Sequence, residues 1–552
     1  MSWEWNDSSV QLIDRWVDLA AIALLSFGIY LARRGLNAKY QLWRDRALLA
    51  LGLLGGLAYC NYGQLHFGRF IHVWDTYHYY VGAKYFPELD YERLYQCATI
   101  ADAEDGNRAL AEKRIITDLR ANVMVRTTDI LAHPEDCKSH FTDARWRQFK
   151  ADVNFFRSRV NDQRWTEIHQ DHGYNATPVW TLLAFALTNL GPATTTQVTL
   201  LNLLDPLYLL AMAALLYWAF GPRVLSLGLL ILGTNFPNRY SWTGGAFLRH
   251  DWLFYLVAVV CLLKKARPAL AGAALAYATL LRLFPGLILV GPVLSGVVEL
   301  EKWWRSRSPA GACAPFRRAF SPVLKRFLLG GAIATLVLVP GSLAAFGGAQ
   351  TWQRFAANTR KHAKTPLTNH MGLPTALAYR PSTIGALTRE RDGVELDPWA
   401  RWKQARLDNF EALKPLFYAL IVSFIVLLFV AIRHQGGELW LAAALGVGLI
   451  PFASELTCYY YGFLIGFASL HAKHREVGLW LLVLCLFTQV TAWAPLKWMS
   501  RWPDEQYTAM SIATLVAVVL GAWCFTPAGE KHCVEPEPQP APLKTLLSVS
   551  SE

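Results

Sequence analysis

Long apolar runs alternate with polar segments along the whole chain, and nine of these runs approach the length of a bilayer-crossing helix, which is ~20 residues. They are residues 16–33, 47–66, 197–220, 269–300, 327–346, 412–432, 439–456, 477–496 and 508–525. Lipid offers the peptide backbone no hydrogen-bond partners, so each run is predicted to be helical. Four shorter runs predict broken or re-entrant helices: 177–190, 223–237, 251–263 and 457–470.

We therefore expect an all-α polytopic membrane protein with a bundle of 11 to 13 transmembrane or half-spanning helices. The composition agrees, because only 17% of the residues are charged, against roughly 25% in an ordinary soluble domain. Residues 1–10 lack the basic start of a signal peptide, so the first span is expected to remain as an anchor.

The positive charge predicts how the chain is oriented. Three segments between spans are basic, and such segments favour the cytoplasm. Their basic residues are Arg33, Arg34, Lys39, Arg44 and Arg46; Lys264, Lys265 and Arg267; and Lys302, Arg305, Arg307, Arg317, Arg318, Lys325 and Arg326. Residues 67–176 instead hold 15 Lys/Arg and 17 Asp/Glu, a net charge of −2. Since the whole chain has a net charge of +12, the residues outside this segment have a net charge of +14. The positive excess therefore indicates membrane orientation and not a nucleic-acid partner.

Six segments follow from this pattern. They are a two-helix anchor (1–66), an extracytoplasmic loop with juxtamembrane helices (67–176), a core transmembrane bundle (177–346), a second extracytoplasmic loop (347–411), C-terminal transmembrane helices (412–526) and a disordered cytoplasmic tail (527–552). The polar strings 238–251 and 282–286 are expected on the same face as the two loops. The sequence contains no Gly-rich nucleotide-binding loop.

Cys97 and Cys137 are the only two of nine cysteines in the first extracytoplasmic loop. In an oxidising exterior they either form a disulfide across the helix-like stretch 102–131 or remain two free thiols.

The string HVWDTYHYYVGAKYFPELDYERLY (residues 72–95) carries the strongest chemical signal, since it begins just beyond the second span. Partial burial of Asp75 at the membrane edge would raise its pKa toward the range of a general base. The alternative is that Asp75 only caps a juxtamembrane helix. His72, Asp75 and His78 have a spacing that also occurs among metal ligands, but substrate-orienting or water-facing histidines are the favoured interpretation.

This string resembles the first exterior loop of the GT-C glycosyltransferases, and most of all the polyprenyl-phosphate-mannose-dependent mannosyltransferases of glycosyltransferase family 87. The matching positions are Asp75, Tyr79, Tyr80, Ala83, Leu94 and Tyr95. Three further strings resemble the family in the same order: 174–187, 282–292 and 368–374. The resemblance covers about residues 70–375.

The resemblance implies inverting transfer of a sugar (mannose or another hexose or pentose) from a polyprenyl-phosphate donor to a hydroxyl of a glycan or glycolipid acceptor. The reaction would occur at the extracytoplasmic face of a bacterial inner membrane, with Asp75 as general base and with no cofactor or metal requirement. Cations near the site would bind the phosphate of the donor; each one taken singly is equally well explained by snorkelling toward water.

The candidate substrate-binding residues lie in the motifs and in the polar segments expected on the same face. They are His78, Tyr79, Tyr80, Lys84, Tyr174, Asn175, Arg249, His250, Asp251, Arg282, Arg360, Lys361, Lys364, Asn369 and His370. Arg282 is the strongest of the cations, because it lies between two apolar stretches where an unpaired charge is costly. Asp251 is either a second polar site residue or a helix cap.

Three other functions are compatible with the same pattern. A lipid-linked oligosaccharide ligase or polymerase would share the donor and the face but move a preassembled glycan. A flippase or transporter predicts mid-membrane charges and symmetry-related halves, which the sequence does not show. A catalytically silent scaffold would share only the fold.

Overall fold

The computed structural model describes residues 5–36, 39–306, 319–393, 395–493 and 503–535. Of these described residues about 75% are helical and very few are in strands, in agreement with the predicted all-α class. Three residues of the third basic segment (Arg307, Arg317 and Arg318) and residues 536–552 of the predicted tail lie outside the described residues.

Two long helices form the N-terminal segment. Helix α1 spans Asp7–Arg33 and begins with a capping box, in which the side chains of Asn6 and Ser9 each accept a hydrogen bond from the other residue's backbone N–H. Helix α2 spans Gln41–Tyr59 and is followed by a 3-10 turn at Asn61–Gly63.

The first predicted extracytoplasmic loop is compactly folded. Its elements are α3 (Val73–Lys84), α4 (Phe86–Leu89), α5 (Leu94–Asp102), a π-helical turn (Ala103–Asn107), α6 (Arg108–Ala111), β1 (Ile115–Asp118), β2 (Val123–Arg126), α7 (Thr127–Ala132), α8 (Glu135–Lys138), α9 (Asp143–Arg157) and α10 (Asp162–Ile168). Large aromatic side chains, among them Tyr77, Phe149, Phe156 and Trp165, are completely buried and provide its core.

The prediction of a helix-like stretch at 102–131 is wrong in its middle, where β1 and β2 form an antiparallel hairpin that pairs Ile115 with Arg126. β-branched residues in both strands favour this structure. Asn122 completes the turn with φ 55°, in the left-handed region that Asn tolerates. Of the two alternatives for the cysteines, the structure has the disulfide: Cys97 and Cys137 are bonded, with 5.5 Å between their Cα atoms.

The central part of the chain is a succession of apolar helices. They are α11 (Pro178–Thr188), α12 (Thr195–Asn202), α13 (Leu204–Phe220), α14 (Pro222–Thr234), a 3-10 turn (Phe236–Asn238), α15 (Tyr240–Thr243), α16 (Asp251–Lys264), α17 (Pro268–Leu281), a 3-10 helix (Phe284–Leu289), α18 (Val290–Arg305) and α19 (Pro322–Ala345). The run 269–300 is therefore divided at Arg282, whose extended backbone ends α17.

The C-terminal part contains a polar segment and a second group of apolar helices. The elements are α20 (Ala349–Ala363), β3 (His370–Met371), α21 (Leu373–Ala378), a 3-10 turn (Pro381–Thr383), α22 (Gly385–Thr388), α23 (Ala400–Ala412), α24 (Lys414–His434), α25 (Leu439–Val447), α26 (Ile450–Ala453), β4 (Leu456–Thr457), 3-10 helices (Cys458–Phe463 and Ser469–Ala472), α27 (Leu464–Ala468), α28 (Arg475–Trp493), α29 (Pro503–Trp523) and α30 (Pro527–Glu530). The run 439–456, predicted as one span, is interrupted between α25 and α26, and β3 pairs with β4.

Six helices of the described chain are long and apolar enough to cross a membrane. They are Thr195–Phe220, Phe284–Arg305, Pro322–Ala345, Lys414–His434, Arg475–Trp493 and Pro503–Trp523. Within the most apolar part of α19 only 17% of the residues are buried, and in α24 only 22%. Leu328, Ile333 and Leu336 of α19 are thus at least half exposed. So large an apolar surface indicates contact with lipid, and hence a membrane protein.

Basic residues from distant parts of the chain meet at one end of the helix bundle, here called the basic end. Arg33 at the end of α1 lies 3.7 Å from Glu476 at the start of α28. Lys302 donates a hydrogen bond to the Gly436 carbonyl (2.8 Å), and the adjacent Arg433 of α24 pairs with Glu301 of α18. Lys264, at the end of α16, lies 4.3 Å from the ring centre of Trp440, four residues after Gly436. The junction between α16 and α17 is therefore at the basic end, and the other ends of these helices, at 249–251 and 281–283, lie at the opposite end.

Candidate functional site

Asp75 lies in the first turn of α3, and His72 caps this helix. The Asp75 N–H donates to His72 Nδ1 (3.3 Å), and the His72 N–H donates to the Gly245 carbonyl (3.0 Å). Burial holds the pKa of His72 well below its usual value, so its ring is neutral and can accept the hydrogen bond. Because His72 performs the capping, the Asp75 carboxylate is free to face away from the helix backbone.

The Asp75 carboxylate faces Arg249, with 3.0 Å between Oδ2 and Nε. Arg249 belongs to the turn before α16, which Asp205 holds by accepting the backbone N–H groups of Arg249 (2.8 Å) and His250 (2.7 Å). His250 is fixed in turn between Asp205 Oδ2 (2.5 Å) and the Tyr59 hydroxyl (2.9 Å). The guanidinium is therefore positioned by a buried polar network.

Gly245 allows this turn to approach α3. Its φ is +68°, and a Cβ atom there would lie only 1.9 Å from the Phe70 carbonyl oxygen. Asn202 secures the contact by donating to both the Gly245 carbonyl (2.9 Å) and Thr76 Oγ1 (3.0 Å). A residue with a side chain would push the Arg249 turn away from Asp75.

Tyr79 lies between two arginines. The Arg249 guanidinium is 4.5 Å and the Arg282 guanidinium 5.5 Å from the centre of its ring, and its hydroxyl donates to Asn175 Oδ1 (2.6 Å). Both arginines are buried. Arg249 Nη1 and Arg282 Nη2 have no hydrogen-bond acceptor among the described residues. Buried guanidinium N–H groups without acceptors are suited to an anionic ligand.

A cavity of about 490 Å³ opens beside Asp75. Its wall combines α3, the loop 171–175, Arg249, the segment 359–378, residues of 406–417 in α23 and α24, and the segment 455–460. The predicted site residues that line it are Asp75, His78, Tyr79, Asn175, Arg249 and His370. A volume of this size is typical of small-molecule sites.

A second charged group, around Glu455, contributes to the wall of the cavity. Glu455 Oε2 lies 3.6 Å from His370 Nδ1, and Glu455 Oε1 accepts a hydrogen bond from Thr375 (2.8 Å). Burial alone would raise the pKa of Glu455, but His370, Thr375 and Arg406 lower it below its usual value. Because β3 and β4 pair, His370 meets Glu455 although the two are 85 positions apart in the sequence.

The pKa of Asp75 is raised to about 6. Burial raises it and nearby Asp171 adds to the effect, whereas Arg249 and Arg282 lower it. At neutral pH the group is therefore mostly ionised yet more basic than a free aspartate, as a general base requires. Burial also lowers the pKa of His172 to about 4 and that of His362 to about 3, so both rings are neutral.

Helix α20 presents its histidine, and not its Arg and Lys side chains, to the cavity. Thr359, His362 and Ala363 line it at a spacing of three and four residues. Arg360 and Lys364 are exposed outside the lining, and Lys361 donates to the Leu119 carbonyl. The segment that contains the three predicted cations lines the cavity, but the helical period turns these cations away from it.

Several other predicted residues hold the surrounding structure. Lys84 pairs with Asp152 (2.7 Å), and the hydroxyl of Tyr80 bonds backbone carbonyls of residues 188 and 191. The Tyr174 hydroxyl bonds Thr181 (2.6 Å). Asp251 begins α16 and accepts the Trp252 N–H (2.7 Å), and Asn369 contributes a backbone carbonyl to Cys458. None of these five residues forms part of the cavity wall, and neither do the predicted site residues His250 and Arg282.

Five charged residues or histidines of the cavity wall were not among the predicted site residues. They are Asp171, His172, His362, Arg406 and Glu455. Asp171 and His172 precede the matched string at 174–187, and His362 lies among the basic residues of α20, so a sequence signal was available for these three. Glu455 and Arg406 lie in segments that resemble no motif.

No group of three or more His, Cys, Asp or Glu side chains in the described chain is arranged to hold a metal ion. His72 caps α3, and His78 Nε2 lies 2.7 Å from the Tyr95 hydroxyl. Protein-family profiles, curated proteins and solved structures give no match to this chain. The arrangement itself offers a basic carboxylate beside buried cations, which suits proton removal next to an anion.

Proposed function

We propose that the protein is a GT-C-type glycosyltransferase that moves one sugar from a polyprenyl-phosphate donor to an acceptor hydroxyl. The observation that carries the proposal is the pairing of Asp75 with Arg249 at 3.0 Å on the wall of the cavity. In the proposed reaction Asp75 takes a proton, while Arg249 and the neighbouring Arg282, which also lies beside the ring of Tyr79, would bind the phosphate. The motif resemblance supplies the donor class.

In the proposed reaction, Asp75 accepts the proton of the acceptor hydroxyl as that oxygen attacks the anomeric carbon. A new glycosidic C–O bond forms, and the bond between the anomeric carbon and the phosphate oxygen breaks. The polyprenyl phosphate leaves with the bonding electrons, and attack from the opposite side inverts the configuration. A pKa near 6 supports the role of Asp75, because the carboxylate is available at neutral pH.

Arg249 and Arg282 are proposed to bind the phosphate of the donor. Arg249 Nη1 and Arg282 Nη2 are buried and lack acceptors among the described residues. A phosphate oxygen there would gain charge-assisted hydrogen bonds, and these would strengthen as negative charge develops on the leaving group.

The apolar part of the cavity wall suits entry of a lipid chain. Phe410 of α23 and Phe417 of α24 line the cavity, and α24 is one of the candidate spans with little of its apolar surface buried. We propose that the polyprenyl chain leaves the cavity along α24 toward the bilayer.

The proposed orientation places the cavity outside a bacterial inner membrane and the basic end in the cytoplasm. The separation of the Arg- and Lys-rich junctions from the cavity supports it. The short helices α11, α14 and α16 would then be half-spanning parts of a bundle with 11 to 13 crossings or half-crossings in all.

The test is transfer in proteoliposomes that contain the purified chain, a radiolabelled polyprenyl-phosphate sugar and a membrane glycan extract. We expect a labelled product that is one sugar heavier, that Asp75→Asn abolishes and that Lys364→Ala leaves unchanged. A product heavier by an oligosaccharide would indicate the ligase, and movement of the donor across the bilayer without chemical change would indicate the flippase. Transfer that persists in Asp75→Asn would refute the proposal.

A further inference from the structure

A second cavity of about 350 Å³ adjoins the first and is here called the Trp pocket. Its wall includes the indole rings of Trp74, Trp399 and Trp402, together with Glu167, Gln170 and Lys403. The rings come from two separate segments of sequence, around residue 74 and at 399–402, and meet only in the fold. Residues 397–403 belong to none of the sequence motifs on which the proposed reaction rests, and none of them has a role in that reaction.

The three rings are held in fixed orientations. Trp74 Nε1 donates to Asp171 Oδ2 (2.6 Å), and the Arg164 guanidinium lies 4.4 Å from its ring centre. Trp402 Nε1 donates to Asp504 Oδ2 (3.0 Å), and Trp399 meets Trp402 edge to face at 5.7 Å. Rigid aromatic surfaces lose little conformational entropy when a ligand packs on them.

Polar groups surround these rings. Lys403 pairs with Asp397 (2.7 Å), and Gln170 uses its amide nitrogen to bond the Ile115 carbonyl (3.0 Å). Asn122, another residue of the wall, has a buried amide oxygen without a hydrogen-bond donor among the described residues. Flat apolar faces next to amide and charged groups match the apolar C–H face and the hydroxyl rim of a sugar ring.

The Trp pocket shares part of its wall with the cavity beside Asp75. Asp171, His172, Pro366 and Leu367 line both cavities. A saccharide whose terminal hydroxyl reaches Asp75 would therefore have its following sugars near Trp74 and Trp399.

We propose that the Trp pocket binds the inner sugars of the acceptor, so that the acceptor is an oligosaccharide chain and not a single sugar or a simple lipid alcohol. This assignment rests on the proposed transferase function and names its acceptor class. Trp399 is the residue chosen for substitution, because it is half-buried and its replacement should leave the fold intact. Trp402 is 1% exposed and donates a hydrogen bond to Asp504 of α29, so replacing it would also disturb the packing of the protein.

The experiment measures saccharide binding to the purified full chain in nanodiscs, first on a broad glycan array and then by calorimetry with a size series of the saccharide it selects. We expect affinity to increase from monosaccharide to tetrasaccharide. Trp399→Ala should weaken the longest ligand about tenfold or more and leave the monosaccharide unchanged, since truncating a buried Trp contact costs this much or more. Trp399→Phe should retain most of the affinity.

Two controls separate this inference from the proposed function. Trp43→Ala removes an indole that is 60% exposed on α2 and should change nothing. Asp75→Asn should bind the tetrasaccharide like wild type while transferring no sugar. Absence of binding to every glycan on the array, or equal affinity of Trp399→Ala and wild type, would overturn the Trp pocket assignment. If saccharide binding depends on Trp399 but the wild-type protein transfers sugar to no acceptor, the proposed transferase function would be refuted while the Trp pocket assignment would stand.

Discussion

Asp75 and Arg249 face each other across 3.0 Å, although 173 residues separate them in the sequence. Asp75 is held by α3 and its His72 cap, and Arg249 by a turn that Asp205 binds. Each side chain is thus positioned by its own local network. The pair brings a carboxylate with a raised pKa next to a cation whose hydrogen-bonding capacity is only partly used.

The first prediction concerns the pH dependence of Asp75. A general base works only when ionised, and its pKa of about 6 predicts that kcat/KM rises with pH through that value and then levels off. Asp75→Asn should lower kcat by about 10²–10⁴-fold, to below detection in the proteoliposome assay, and any residual rate measured at high enzyme concentration should show no acid limb. Transfer assays quenched at fixed times between pH 4.5 and 8 would measure the pH profile of kcat/KM and the loss of kcat in the variant. An acid limb that persists in Asp75→Asn would assign it to another group.

The second prediction separates charge from hydrogen bonding at Arg249. The Arg249 charge lowers the pKa of Asp75, so Arg249→Ala should move the acid limb to higher pH and raise KM for the donor. Arg249→Lys keeps the charge and loses the forked N–H donors, so its limb should stay near 6 while KM still rises. The measurement is kcat/KM against pH with the donor varied. A shift of equal size in both variants would contradict this division.

The third prediction compares Lys84 and Lys364, which the sequence analysis named together as candidate substrate-binding residues. Lys84 and Asp152 form an ion pair whose side chains are 6% and 2% exposed. Lys84→Met leaves Asp152 buried without its partner and should cost about 3–5 kcal/mol of stability. Lys364 is exposed, and Lys364→Ala should stay within about 0.5 kcal/mol. Thermal unfolding in detergent measures both, and equal stability of the two variants would be inconsistent with the buried pair.

The fourth prediction concerns the disulfide. Cys97 and Cys137 close a loop with a separation of 40 residues, and removing such a link costs about 2–4 kcal/mol. Cys97→Ser and Cys137→Ser should therefore each lower the unfolding temperature, whereas Cys60→Ser, which changes an unbonded cysteine, should not. A mass-tagged maleimide should label Cys97 and Cys137 only after reduction. Labelling without reductant would mean that the bond does not form in the cell.

The fifth prediction concerns membrane orientation. Lys364 and Lys265 are both exposed, the first on the cavity side and the second in the basic junction 264–268. A membrane-impermeant maleimide should label Lys364→Cys in intact cells and label Lys265→Cys only after the membrane is opened. The reverse pattern would place the cavity in the cytoplasm and exclude an extracytoplasmic reaction.

The sequence by itself determined the properties that depend on local pattern. Apolar runs long enough to cross a bilayer predict helices because the backbone in lipid must satisfy its own hydrogen bonds, and α19, α24, α28 and α29 follow those runs closely. The position of Asp75 just beyond the second run, next to Tyr79, could also be read directly from the residues.

Only the tertiary structure decided which distant groups share the cavity. Arg249 meets Asp75 and Glu455 meets His370 because separate segments pack together, and no local pattern contains that information. The same packing turns Lys361 and Lys364 away from the cavity while bringing His362 toward it, since a helix presents only one face to a given neighbour. Charge along a sequence shows where a cation can be, whereas the rotation and packing of its helix determine what that cation contacts.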